Sequence, residues 1–202
     1  MSEQRTTADR LAAFSDAVMA VIITIMVLEL KAPEDSTFES LLPLWPTVIG
    51  YAVSYLFIAI IWVNHHHLLR FVKEVTPRLI WINFAHLFVV SLLPFATAWM
   101  TRSDLAAAPV AVYAGIFVLV EIAYLVFERE ILAQADSSMM SDEARRLARR
   151  RSIAALVIFA AASLVSPFVP LLGLGLICCA LVLYVRPEAV SNARVRNLQL
   201  RR

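Results

Sequence analysis

Apolar runs broken by short charged loops set the pattern along the chain, and most are long enough to read as whole helices. The runs span Leu11 to Leu30, Trp45 to Leu69, Leu79 to Met100 and Pro109 to Phe127. Each approaches or exceeds the roughly 20 apolar residues that a helix needs to cross the hydrocarbon of a bilayer. The last run, from Ile153 to Val185, is too long for one crossing. Pro167 and Pro170 fall near its middle, where each removes a backbone donor and favours a break. The pattern therefore predicts Ile153 to Phe168 and Leu171 to Val185 as two short helices joined by a tight turn. Ahead of them, Asp142 to Arg151 reads as an amphipathic helix leading into the fifth span.

Composition carries this from helices to a class. Hydrophobic residues make up 60% of the 202 positions and charged residues 17%, and the mean hydropathy is +0.74. A soluble chain of this length has too little interior to hide so much apolar surface. The expected fold is an all-α polytopic membrane protein with six transmembrane helices. The first run carries Asp16 and lacks a small-residue cleavage site, so it is expected to remain in the mature protein. Cys178 and Cys179 lie side by side in an apolar run and read as packing residues.

The net charge of +2 says little about partners, but the distribution of charge is informative. Arg70, Lys73 and Arg78 occupy the second loop. Arg129, Arg145, Arg146, Arg149, Arg150 and Arg151 occupy the fourth, and five arginines from Arg186 to Arg202 fill the tail. With Arg5 and Arg10, sixteen of the 18 basic residues lie on one side, which the positive-inside rule makes the cytoplasm. Both termini are expected inside. The arginine cluster reads as a topology determinant in contact with anionic lipid. No recognition fold accompanies it, so nucleic acid is not an expected partner. Trp45, Trp81 and Trp99 fall where interfacial aromatics belong.

Polar groups inside the spans are costly and mark function or a buried pairing. Arg10, Ser15 and Asp16 open the first span, Asn64, His65, His66 and His67 close the second, and Asn83 and His86 begin the third. All lie at one depth. Arg10 and Asp16 are six residues apart and point in different directions, so each needs a partner on a neighbouring helix. The implied arrangement is an interhelical hydrogen-bond network. Three consecutive histidines fan over about 200° and cannot all face one ion, so neither a metal nor any other cofactor is expected. A pH-sensing role for the histidines stays open. Glu121 is either hydrogen-bonded or part of a proton relay, and Glu29 either faces an outer mouth or is a solvated rim residue.

On a helical wheel, Phe14, Ala17, Val21, Thr24, Ile25 and Leu28 form one stripe about 100° wide, apolar except for the Thr24 hydroxyl. Spacing leaves two readings, a helix-packing seam or a pore wall. A TVGYG-like filter loop and an arginine ladder are missing.

A resemblance takes the reading further. Arg10-x-x-x-Phe14-Ser15-Asp16, followed by the apolar run to Leu30, resembles the first-helix signature of the transmembrane protein 175 family. That family comprises the endolysosomal potassium channel and its prokaryotic homologues. Trp62 to His67, and Asn83 through Ser91, Pro94 and Thr97, resemble its second and third helices. The resemblance implies a passive potassium-permeable channel in a prokaryotic plasma membrane, with residues 1–202 forming one six-helix repeat and four copies assembling around a central pore. The first helices would line the ion path, with a hydrophobic constriction at Val21 and with Ile25 and Leu28 further outward. Thr24 matches a threonine implicated in selectivity. Arg10, Phe14, Ser15 and Asp16 would belong to the network that holds the pore helix, together with His65, His66, His67, Asn83 and His86. Val21 is smaller than the isoleucine or leucine common at this place, which implies a wider constriction and weaker selectivity. Two other classes stay open: a proton-coupled transporter, suggested by Asp16, Glu121 and the histidines, and a scaffold that transports nothing. An enzyme is not expected, since the chain has no catalytic triad, phosphate loop or HExxH.

Overall fold

The computed structural model describes residues 2–134 and 142–185. Among them the chain forms seven α-helices, one 3-10 helix and no strand. The α-helices are α1 (Ser2–Val27), α2 (Trp45–Leu69), α3 (Pro77–Val90), α4 (Leu93–Arg102), α5 (Ala107–Gln134), α6 (Asp142–Val165) and α7 (Pro170–Val185). The 3-10 helix, Glu39–Leu44, runs straight into α2, whose first turn carries Pro46. Four segments are long and apolar enough to cross a membrane: Thr7–Val27, Glu39–Leu69, Pro77–Arg102 and Ala107–Gln134. Pro170–Val182 is a shorter apolar helix. The molecule is a polytopic helical membrane protein.

The third apolar run departs from the expected single helix. It breaks after Val90 into α3 and α4, with Ser91 and Leu92 in a turn between them. Pro94 is the physical reason. It has no N–H for the Val90 carbonyl, and its ring crowds the preceding turn. Ser91 Oγ donates to the Phe88 carbonyl at 2.6 Å, stabilising the kinked backbone. The long fifth run does break near the two prolines, with α6 ending at Val165 and α7 opening on Pro170. Pro170 is favoured there because a first-turn N–H has no partner within the helix. The amphipathic segment and the fifth span form one continuous helix, α6. The tail arginines from Arg186 to Arg202 lie outside the described residues.

The core forms around α5, which packs against α3, α4, α6 and α7. Phe57 of α2 stacks on Phe117 of α5, with centroids 3.8 Å apart, and Phe159 of α6 meets both edge-on. A smaller cluster (Leu11, Leu68, Leu69, Leu79, Phe127 and Ile131) closes the end where the histidines sit. α1 joins the bundle through one narrow seam and is its most peripheral long span. Only 22% of its apolar window is buried, against 39% to 44% for the other three.

Candidate pore helix and its polar anchor

α1 has two apolar faces with different surroundings. Leu11, Ser15, Met19, Ile22 and Met26 recur at helical spacing and are buried against the bundle. The Val21 stripe points about 130° away from that seam, at about 100° per residue. Phe14, Ala17, Val21, Thr24, Ile25 and Leu28 are all exposed in the protomer, Val21 by 54% and Leu28 by 71%. Thr24 Oγ1 donates to the Val21 carbonyl at 2.9 Å. With its proton turned inward, the hydroxyl offers only lone pairs to whatever lies outside the helix.

Ser15 anchors the buried seam. Its Oγ donates to the Leu11 carbonyl at 2.9 Å and accepts from Asn83 Nδ2 at 3.0 Å. Asn83 Oδ1 lies 2.8 Å from His65 Nε2. An amide oxygen only accepts, so His65 donates through Nε2. All three side chains are fully buried, and the chain Ser15–Asn83–His65 ties α1 to α3 and α2 at one depth. His86, also fully buried, stands beside it. Its ring lies parallel to His65 at 5.8 Å and to Phe127 at 6.1 Å, while His65 and Phe127 stack at 4.7 Å. Neither nitrogen of His86 has a hydrogen-bond partner among the described residues.

The other residues singled out from the sequence lie outside this chain. Asp16 accepts from Trp62 Nε1 at 2.8 Å, a second tie between α1 and α2. His66 stacks on Trp62 and meets Arg70 Nη2 at 3.3 Å. Phe14 packs edge-on against Phe84, with centroids 5.3 Å apart. His67 is exposed and only its ring touches His66. Arg10, expected to need a neighbouring partner, is exposed. At the end of the span, such a side chain reaches water or headgroups by extending. Among the described residues no three metal-ligating side chains converge.

Sequence reasoning missed two buried hydroxyl clusters. Ser54 lies 2.8 Å from Thr97 Oγ1 and 2.7 Å from Tyr113 OH, and Thr97 donates to the Leu93 carbonyl. Each hydroxyl has one proton, so the order of donation is Tyr113 to Ser54 to Thr97. Ser54 within an apolar helix was the available signal. Glu121 accepts from Tyr184 OH at 3.2 Å, and Ser152 Oγ lies 3.2 Å from that same phenol. At the other end of α1, Glu29 is ion-paired with Arg102, so it is not a bare carboxylate.

Comparison with known proteins accounts for the arrangement. Residues 10–94 match the family model "Endosomal/lysosomal potassium channel TMEM175". A protein named as a potassium channel in Chryseobacterium sp. (strain P1-3) is 36% identical over 183 residues, covering 90% of this chain and 94% of the relative. The chain belongs to the TMEM175 family. The crystal structure of a "lysosomal potassium-selective channel TMEM175 homolog" from Chamaesiphon minutus superimposes with a TM-score of 0.76 at 26% identity, covering 89% of this chain and 96% of that one. The human protein named "Endosomal/lysosomal proton channel TMEM175" is 28% identical over 194 residues, which cover 87% of this chain but 38% of its own length. These TMEM175 relatives are channels, not enzymes.

Proposed function

We propose that this chain forms a passive potassium-permeable channel in a prokaryotic plasma membrane. In this reading four copies of the six-helix repeat surround a central path, and the chain enters and leaves the bilayer on its basic, cytoplasmic side. Names and structures of the relatives support potassium as the ion. The observation that carries the reading is the uncovered stripe on α1, because a peripheral helix with a narrow apolar face and one hydroxyl can line an axis shared between copies. Rotational symmetry makes such an axis without any cavity inside one bundle.

The mechanism follows from hydration. A ring of Val21 side chains, with Ile25 and Leu28 outward of it, is narrow and apolar enough to exclude water, so it gates without charge. Slight splaying of the α1 helices admits water and a partly dehydrated cation. Thr24, one turn beyond Val21, presents an acceptor oxygen that replaces part of the lost hydration shell. Potassium gives up its shell at lower cost than sodium, which yields modest selectivity. Val21, smaller than isoleucine or leucine, leaves the collar wider and the discrimination weaker.

Potassium flux into liposomes tests the gate. Val21→Asn and Leu28→Asp wet the collar and are expected to raise flux several-fold over wild type. Equal flux from all three proteins would remove the gate from this stripe. A proton-coupled transporter is the second reading, favoured by the buried His65, His86 and Glu121. It requires uphill potassium movement driven by a pH gradient, where the channel gives unitary current steps.

A further inference from the structure

α6 enters the apolar part of the bundle through a run of arginines, and its first half offers more than charge. At about 100° per residue, Arg146 and Arg150 lie directly above Val157 and Leu164 on one face of the helix. All four are exposed, Leu164 by 75%. Next to that face lies an open groove between α6 and α7, with about 310 Å³ of space. Arg151 and Tyr184 stand at its charged end, and Ala154, Ala155, Ile158 and Ala180 form its apolar floor. Small side chains keep the floor low. Arg151 Nη2 donates to the Tyr184 carbonyl at 3.1 Å, with its guanidinium carbon 5.4 Å from the centre of the Tyr184 ring. These contacts hold the guanidinium at the mouth of the groove, and a guanidinium has five N–H donors, more than one carbonyl can use.

We propose that this groove is a binding site for one anionic phospholipid. The phosphate lies between Arg150 and Arg151, with Arg146 one turn above, and one acyl chain follows Ala154 and Ile158 toward the bilayer centre. Charge complementarity selects the headgroup, because three arginines close together at the membrane surface favour an anion over a zwitterion. The alanine-lined groove selects a molecule with a tail, which separates a lipid from free phosphate. The site lies on α6 and α7, away from the α1 stripe, so it stands independently of the channel reading.

The test uses the intact protein in mixed detergent–lipid micelles. Native mass spectrometry measures retention of phosphatidylglycerol against phosphatidylcholine of the same chain length. Wild type is expected to retain the anionic lipid preferentially. Arg150→Gln or Arg151→Gln is expected to weaken retention about fivefold, and the pair roughly thirtyfold, at the strength of one surface arginine each. Ala154→Phe fills the groove and leaves every arginine in place, and it is expected to weaken retention comparably. Ala154→Leu serves the same purpose if the larger ring prevents folding. Arg70→Gln, on another basic loop, is expected to change nothing. Any of four results would overturn the site: equal retention of both lipids, an equal loss with Arg70→Gln, no loss on filling the groove, or displacement of the lipid by inorganic phosphate.

Discussion

A single asparagine carries much of what holds α1 in place. Asn83 uses its amide nitrogen on Ser15 and its amide oxygen on His65, so one side chain bridges three helices. Replacing it by leucine keeps the bulk but leaves the His65 N–H unpaired in a fully buried site. The expected cost is about 1–3 kcal/mol, read as a lower midpoint of thermal unfolding in detergent. Ser15→Ala is expected to cost less, about 0.6 kcal/mol, because the Ser15 proton goes to a carbonyl of its own helix. Equal losses from the two variants would mean that the asparagine does not act as the bridge. At this scale the sequence showed depth but not pairing. Ser15, Asn83, His65 and His86 can be placed at one level by counting residues from the ends of their spans. The choice of Trp62 rather than a histidine or asparagine as the partner of Asp16, and the stacking of both histidines on Phe127, depend on helix rotation. That rotation is set by the packing of all the helices together.

Between elements, the decisive contacts are where backbones come close. A Cβ placed on Gly50 of α2 would lie 2.5 Å from Thr101 Cγ2 and 3.2 Å from Met100 Cε, both on α4. Thr101 is buried and β-branched, so its methyl has little freedom to move. Gly50→Ala is therefore expected to destabilise by about 1–3 kcal/mol despite the better helix propensity of alanine. Gly175 of α7 has open space around it, so Gly175→Ala is expected to be neutral or to stabilise by up to about 1 kcal/mol. Opposite signs for the two substitutions in thermal unfolding would check the packing of α2 on α4; equal effects would refute it. The ion pair of Glu29 with Arg102 ties α1 to the end of α4, yet Arg102 is 61% exposed on its side chain. Arg102→Gln should cost no more than about 1 kcal/mol. Why the α3–α4 break was harder to read than the α6–α7 break is now plain. Pro167 and Pro170 interrupt a run too long for one span, whereas Pro94 lies in a run of ordinary length whose apolar pattern continues unbroken on both sides. Length gave no reason to cut there.

For the whole molecule, the question is which apolar surfaces meet lipid and which meet another copy of the chain. One protomer cannot tell by exposure alone, since Leu28 of α1 and Leu164 of α6 are 71% and 75% exposed. This is also why hydropathy could assign spans but could not separate a packing seam from a pore wall. Continuity helps. The α1 stripe adjoins an exposed aromatic row on α3 and α4, formed by Trp81, Phe84, Phe88, Phe95 and Trp99, and Phe14 touches Phe84 where the two meet. Two adjoining apolar faces on neighbouring elements make a wedge of the kind that packs around a rotation axis, whereas α6 carries its exposed residues on the far side of α5. Single cysteines distinguish the two sites. In a background with Cys178 and Cys179 replaced by alanine, Leu28→Cys is expected to give dimers with a short bifunctional maleimide, because equivalent positions face one another across the axis. Leu164→Cys is expected to remain monomeric on the same denaturing gel. Equal cross-linking at both positions would mean chance collision in the membrane, and cross-linking at Leu164 alone would place α1 at the periphery of the assembly and leave the collar of Val21, Ile25 and Leu28 facing lipid.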